Sequence, residues 1–137
     1  MNKQMTGKIA YLAGANAENQ VAADYARRGH RLAARRWRGK AGEIDLIFSD
    51  GADIVFVEVK KAHNFSVASR RISSRQQQRI CLAAEEYLGT QPEGSLTPMR
   101  VDAAFVNGRG EIQILENRDW CFLSQTHCTA MGAAPCK

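Results

Sequence analysis

Two short apolar segments separated by a tight turn constrain the fold more than any other feature of this sequence. In the first segment, Glu43–Phe48, every second residue is apolar, as expected of a strand with one buried face. The residues expected on one face of that strand are Ile44, Leu46 and Phe48. The second segment, Ile54–Lys60, is rich in β-branched residues and is apolar on both faces at first. Because Asp50 and Gly51 between them favour a turn, the sequence predicts a β-hairpin.

The remaining periodicity supplies two helices and three further strands around that hairpin. In chain order, the predicted elements are a helix over Ala15–Arg28, a strand over His30–Trp37, the hairpin, a helix from Ser73 or Ser74 to Leu88, and strands over Arg100–Val106 and Glu111–Leu115. This order, α-β-β-β-α-β-β, predicts an α/β or α+β domain with one central sheet. With 137 residues, the chain is expected to form a single domain over residues 1–120, followed by an irregular tail over 121–137.

The cysteines are expected to be structural or inert. Cys81 lies in a helical apolar pattern and is interpreted as a small core residue. The other three, Cys121, Cys128 and Cys136, lie in the tail with His127. Their spacing matches no compact metal-ligand pattern, which favours reduced thiols over a metal cluster.

Charged residues follow the apolar ones on one face of the second hairpin strand. Ile54 and Phe56 precede Glu58 and Lys60 on that face, and pairing across the turn brings Asp45 close to Glu58. Two neighbouring carboxylates repel each other unless a proton or a cation lies between them, and Mg²⁺ is suited to this place. Such a metal activates water for phosphodiester hydrolysis, and Lys60 can orient that water or offset charge on phosphorus. A Glu-x-Lys pair alone would indicate no more than a surface ion pair.

The segments GEIDLI (Gly42–Ile47) and VFVEVK (Val55–Lys60) resemble the signature of the uncharacterised bacterial YraN family, also called UPF0102. That family is similar to the PD-(D/E)xK nuclease superfamily and to archaeal Holliday junction resolvases. The resemblance covers most of residues 14–116. Supporting matches are Gly14, Glu18 and Ala22, then Trp37-Arg38, Arg79-Ile80, Ala84, Tyr87-Leu88 and Arg100-Val101-Asp102.

The resemblance implies a restriction-endonuclease-like fold, with a mixed sheet flanked by helices and Asp45, Glu58 and Lys60 at its site. It further implies that Glu18 on the first helix supplies another carboxylate for the metal. Without the resemblance, Glu18 would be interpreted as a solvated helix residue. The chain departs from the family at the start of the second helix, where a lysine is usual and this sequence has Gln76. Either Gln76 or Gln77 would contact the scissile region, or both lie on a polar helix face.

The positive charge indicates a polyanionic partner. The net charge is +5 and the sequence pI is about 9.3, and neutralising phosphates releases counterions. The residues expected to contact nucleic acid, without reading its sequence, are Arg36, Arg38, Lys40, Lys61, Arg71, Arg75 and Gln77. The alternative for each is an ordinary solvated surface position.

Three functions are compatible with these features. The first is a Mg²⁺- or Mn²⁺-dependent endonuclease acting on DNA, in the resolvase-like case on junctions, where a symmetric dimer would suit cutting two strands. The second is a non-catalytic nucleic-acid-binding protein that retains the fold, and the third is a protein-interaction module with a vestigial site. The start of the sequence is polar at Met1–Gln4 and no long apolar segment follows, so a cytoplasmic location without membrane insertion is expected.

Overall fold

The computed structural model describes residues 16–63, 65, 72–117 and 121. Its elements, in chain order, are helix α1 (residues 16–27), strands β1 (Arg31–Arg38), β2 (Glu43–Asp50) and β3 (Asp53–Lys61), helix α2 (Ser74–Leu88), a 3₁₀ turn (Gly94–Leu96), and strands β4 (Met99–Val106) and β5 (Ile112–Asn117). This is the predicted order, and it confirms the α/β fold class.

The strands form one five-stranded mixed sheet in the order β1-β2-β3-β4-β5. All neighbouring pairs are antiparallel except β3 and β4, which are parallel. Parallel neighbours need a long crossover connection, and α2 lies in that connection. Because β3 and β4 are parallel, their carboxyl ends, Lys61 and Val106, meet at one edge of the sheet. The end of β1 and the start of β2 lie at that same edge.

The two helices cover opposite faces of the sheet, so β3 is buried on both sides. Phe56 packs in the core cluster that contains Ile80 of α2. Val55 and Val57 pack in the other cluster, which contains Val21 of α1. Each fully buried side chain of this size stabilises the fold by about 1.5–3 kcal/mol. Burial on both faces explains why the sequence of β3 is continuously apolar from Ile54 to Val57, before its charged end.

The predicted alternation in β2 is broken at Asp45. Ile44 packs in the α2 cluster, whereas Leu46 and Phe48 pack in the α1 cluster, so the prediction that these three share a face was wrong. The β2–β3 register extends no further toward the start of β2 than Leu46. Beyond it, the Val59 backbone N–H donates to Asp45 Oδ2 at 2.8 Å instead of to a strand carbonyl. The Asp45 carboxylate thus takes the place of a backbone carbonyl in the strand pairing. On either side of Asp45, the side chains of Ile44 and Leu46 point to opposite faces of the sheet.

Helix α2 begins and ends where the sequence predicts. The Ser73 hydroxyl accepts a hydrogen bond from the Gln76 backbone N–H at 3.1 Å, as an N-cap does. At the other end, the Gly89 N–H donates to the carbonyl of Glu85 at 3.1 Å. Local capping therefore sets the bounds of this helix.

A buried polar network joins α1 to β4. The Tyr25 hydroxyl donates to Asp102 Oδ2 at 2.5 Å, and Arg100 Nε donates to Asp102 Oδ1 at 3.1 Å. Asp102 has no exposed surface; the Arg100 guanidinium balances its charge, and both the guanidinium and the Tyr25 hydroxyl donate hydrogen bonds to its carboxylate. The residues around Asp102 in the sequence gave no signal of this role.

Cys81 is buried in the α2 cluster and forms a disulfide bond with Cys121. The prediction of reduced thiols was therefore wrong for Cys121, because the fold brings two residues 40 positions apart together. Cys128, Cys136 and His127 lie outside the described residues. Within the part of the chain that the structure describes, no helix is long and apolar enough to cross a membrane.

Candidate functional site

The candidate site lies where β2 and β3 separate, at the edge that holds the carboxyl ends of β3 and β4. Glu58 and Lys60 follow Phe56 on the α2 face of β3. In chain order, Leu46 is the first residue of β2 that pairs with β3, and it lies opposite Val57. Asp45 directly precedes it. The strand pairing therefore brings Asp45 to the level of Glu58, as the sequence predicts.

Burial makes this carboxylate pair difficult to ionise. The pKa of Glu58 is raised to about 7, chiefly by burial and then by the negative charge of Asp45, while Lys60 and Arg79 act in the opposite direction. Burial also raises the pKa of Asp45, and the hydrogen bond from Val59 partly offsets that effect. A buried pair of this kind is stabilised by a proton or by a cation.

The two carboxylate oxygens of Glu58 have different surroundings. Oε1 lies 3.6 Å from Lys60 Nζ. Oε2 is buried and has no hydrogen-bond partner. Buried carboxylate oxygens normally have a partner, so this unpaired oxygen calls for a proton, a water or a cation to satisfy it.

Glu18 lies near this pair but is held by an arginine. Its Oε2 accepts from Arg36 Nε at 3.1 Å, and its side chain is 15% exposed. Its negative charge contributes to the raised pKa of Asp45, and its partner Arg36 lies between the residues that pair with Leu46 and Ile44, opposite Asp45. Residues 16–63, 65, 72–117 and 121 contain no group of three or more His, Cys, Asp or Glu side chains that could hold a metal ion.

Arg36 combines this ion pair with an unusual backbone conformation. Its φ is +48°, the one positive φ of a non-glycine residue in the described part of the chain. It lies between Arg35, which pairs with Leu46, and Trp37, which pairs with Ile44, and is therefore opposite Asp45. Strained backbone of this kind is concentrated at functional sites.

Arg79 of α2 lies at the candidate site, although no motif in the sequence places it there. A Cβ atom added to Gly42 would lie 3.0 Å from Arg79 Cδ, so the arginine stem passes directly over this glycine. The positive charge of Arg79 lowers the pKa of Glu58. Its place on α2, one residue before the buried Ile80, gave no signal of this contact, which depends on how α2 packs on β2.

The predicted nucleic-acid contacts have varied surroundings. Arg38 is 79% exposed and lies 3.1 Å from Glu43 Oε2. The backbone N–H of Lys40 donates to the Glu86 carboxylate, at 2.8 Å to Oε2. Arg38 and Lys40 therefore lie at the site edge of the sheet, where β1 ends and β2 begins.

The remaining predicted contacts are more dispersed. Lys61 follows Lys60 on β3 and so points to the opposite face of the sheet. Arg75 is exposed on the first turn of α2. The Gln77 side chain donates to the Ile72 carbonyl at 3.4 Å, which gives it a structural contact at the start of the helix. Arg71 lies outside the described residues.

Fold and site together define the class: an α/β protein whose central mixed sheet holds a buried Asp–Glu pair beside a lysine. Residues 17–106 match the family model described as "Uncharacterised protein family UPF0102". The chain belongs to the UPF0102 family, which confirms the resemblance seen in the hairpin motifs.

Curated relatives match over most of their length. A UPF0102 protein of Ruegeria pomeroyi is 51% identical over 111 residues, which cover 81% of this chain and 90% of the relative. One of Cereibacter sphaeroides is 49% identical over 113 residues, covering 82% and 97%. One of Dinoroseobacter shibae is 41% identical over 115 residues, covering 84% and 86%.

Proposed function

We propose that this protein is a metal-dependent endonuclease that hydrolyses phosphodiester bonds in DNA. One observation carries the proposal: Asp45 and Glu58 form a buried carboxylate pair with an unpartnered oxygen, and Lys60 Nζ lies 3.6 Å from Glu58. If Glu58 and Lys60 formed only a structural ion pair, there would be no need for Asp45 beside them, because its negative charge raises the pKa of Glu58.

The residues of the site fit a hard divalent cation such as Mg²⁺ or Mn²⁺. Two carboxylates supply oxygen ligands, and water and phosphate oxygens complete the coordination that Mg²⁺ prefers. When bound, the ion supplies Lewis-acid chemistry toward phosphate and lowers the pKa of water. In this proposal Asp45 and Glu58 hold the ion. Glu18, whose carboxylate is paired with Arg36, would become a third ligand only after releasing that arginine.

The protein's own groups then position the reacting atoms. The Val59 N–H fixes the Asp45 carboxylate at 2.8 Å. Lys60, with its side chain 28% exposed, can reach a water or a phosphate oxygen at the mouth of the site. Its ammonium offsets negative charge that develops on the phosphate during hydrolysis. Arg79 places a second positive charge beside Glu58.

The surface at this edge suits a phosphate backbone. Arg38 is the last residue of β1, Lys40 lies on the connection that leads into β2, and the net charge of the chain is +5. These contacts would track phosphates without reading bases. Selectivity for branched DNA, and a homodimer that cuts two strands, are further parts of the proposal that rest on the resemblance to junction resolvases.

The deciding experiment is a cleavage assay on labelled duplex, branched and single-stranded DNA and on matched RNA, with Mg²⁺ and with Mn²⁺. Asp45→Asn is a better test variant than Asp45→Ala, because the amide oxygen can still accept the hydrogen bond from the Val59 N–H and the fold should persist. Lys60→Met removes the ammonium. Asp53→Asn, at the far end of β3, is the matched control.

We expect the wild type and Asp53→Asn to cleave, and Asp45→Asn and Lys60→Met to be inactive. Cleavage that survives both site substitutions would refute the proposal. Binding of DNA without cleavage in either metal would favour the non-catalytic nucleic-acid-binding function instead.

A further inference from the structure

A cleft of about 450 Å³ opens beside the carboxyl ends of β3 and β4, next to the candidate site. Small apolar residues contribute to its lining, namely Ala17, Ala62 and Val106. Asn16 and Gln20 of α1 line one side, and Lys61 and His63 line another. The β4–β5 turn, residues 107–110, supplies the remaining wall. Its volume is in the range of sites that bind small organic molecules.

The chemistry of the lining suits an anionic, hydrogen-bonding ligand. Among its lining residues there are a lysine, a histidine and three side-chain amides, and no carboxylate. The Asn107 amide is engaged within the turn, because its Oδ1 accepts from two backbone N–H groups and its Nδ2 donates to Glu111 Oε1 at 2.9 Å. Asn16 and Gln20 are therefore the two amides that remain for a ligand. An amide presents a donor and an acceptor together, which is the pattern that recognises the edges of nucleobases. The apolar patches can contact the face of a base. A nucleotide has both parts, a flat base with polar edges and a negatively charged phosphate.

The turn that forms one wall is held by its own hydrogen bonds. Asn107 Oδ1 accepts from the backbone N–H groups of Arg109 at 3.0 Å and Glu111 at 2.9 Å. The Gly110 N–H donates to the Asn107 carbonyl at 3.0 Å. A Cβ atom added to Gly110 would lie 3.4 Å from Gln20 Nε2, so the Gln20 side chain of α1 lies beside the turn at the cleft. The wall is therefore formed before a ligand binds.

The cleft and the carboxylate pair lie on opposite faces of the same strand end. Lys60 lies beside Glu58 on the α2 face, and Lys61, the next residue, lines the cleft. One nucleic-acid strand crossing this edge of the sheet can therefore contact both places.

We infer that the cleft binds one unpaired nucleotide of the nucleic-acid strand whose phosphodiester lies at the Asp45–Glu58 pair. The inference rests on the proposed function and narrows it, because a base within a regular duplex is stacked and paired and cannot enter a cleft without leaving the helix. The substrate class is then nucleic acid with an unpaired nucleotide next to the scissile bond.

The first test measures the cleft without catalysis. Deoxynucleoside monophosphates are added to the ¹⁵N-labelled full-length protein in the absence of metal, with inorganic phosphate as the comparison. We expect the mononucleotides to shift the backbone amide signals of Gly108 and Gly110 with a millimolar Kd. No shift of these signals, or equal shifts with inorganic phosphate, would overturn the inference.

A matched pair of substitutions adds a charge test. A Cβ atom at Gly108 meets nothing within 4 Å, so a side chain is accommodated there. Gly108→Asp places a negative charge at the cleft, and Gly108→Asn places a neutral side chain of the same shape. From a unit charge a few ångströms away in a hydrated site, we expect Gly108→Asp to weaken mononucleotide binding about fivefold. Gly108→Asn should stay within about twofold of the wild type, and equal effects of the two would overturn the inference.

The two hypotheses fail separately in these experiments. If the protein is not a nuclease, mononucleotides still shift the cleft signals while no substrate is cut. If the protein is a nuclease and the cleft is not a nucleotide site, the two variants behave alike. The ratio of the cleavage rates on substrates with and without an unpaired nucleotide is then the same for Gly108→Asp as for Gly108→Asn. A selective loss of cutting at unpaired substrates in Gly108→Asp supports the inference.

Discussion

Replacing Glu58 with glutamine tests whether the buried, ionised carboxylate of Glu58 destabilises the metal-free protein. The pKa of Glu58 is raised from 4.5 to about 7, chiefly by burial, and its side chain is 9% exposed. At about 1.4 kcal/mol per pKa unit, the ionised carboxylate destabilises the folded state by about 3 kcal/mol. Glutamine has nearly the same shape and carries no charge, so the variant avoids this effect.

The direction of the pH dependence follows from proton linkage. Since the folded protein holds the Glu58 proton more tightly than the unfolded chain does, its contribution to stability is fully present below pH 4.5 and is lost as pH rises through about 7. The raised pKa of Asp45 acts in the same direction. The free energy of unfolding of the wild type should therefore fall between about pH 5 and about pH 8, and that of Glu58→Gln should fall less.

Urea unfolding in EDTA, followed by circular dichroism across this pH range, measures the effect. Glu85→Gln, an exposed position on α2, is the control and should follow the wild type. At about pH 8 we expect Glu58→Gln to be more stable than the wild type by up to about 3 kcal/mol. Added Mn²⁺ should stabilise the wild type more than the variant. Parallel pH profiles for the wild type and Glu58→Gln would refute the reasoning.

Three further predictions concern packing, the buried network and the charged surface. Gly42→Ala must displace the Arg79 stem and also places alanine at a φ of +156°, so it should destabilise the protein by about 1–3 kcal/mol in thermal unfolding, whereas Gly108→Ala, which meets no atom within 4 Å, should have little effect. Tyr25→Phe leaves the buried Asp102 without its hydroxyl donor and should cost about 1–3 kcal/mol in urea unfolding; an unchanged midpoint would show that the hydrogen bond contributes nothing. Binding of labelled DNA, measured by fluorescence anisotropy, should weaken steeply with salt, and a flat response would exclude phosphate contacts as the basis of affinity.

The hairpin and the second helix were predictable because their signals are local. The β-branched run in β3, the turn at Asp50 and Gly51, and the Ser73 and Gly89 caps act over a few residues. Pairing across a short turn also brings Asp45 to Glu58, so the core of the candidate site followed from the sequence. Membership of the UPF0102 family followed from the same segments.

Tertiary structure decided what depends on residues far apart in the chain. The contact of Arg79 with Gly42 and the Cys81–Cys121 bond require α2 to be packed in place, and the Tyr25–Asp102 hydrogen bond joins residues 77 positions apart. Ile44 changed face because the Asp45 carboxylate takes the Val59 N–H from the ladder, which no pattern of alternation encodes. Local periodicity therefore determined the elements and the carboxylate pair, while packing between elements determined the burial and the neighbouring charges that raise the pKa values of that pair.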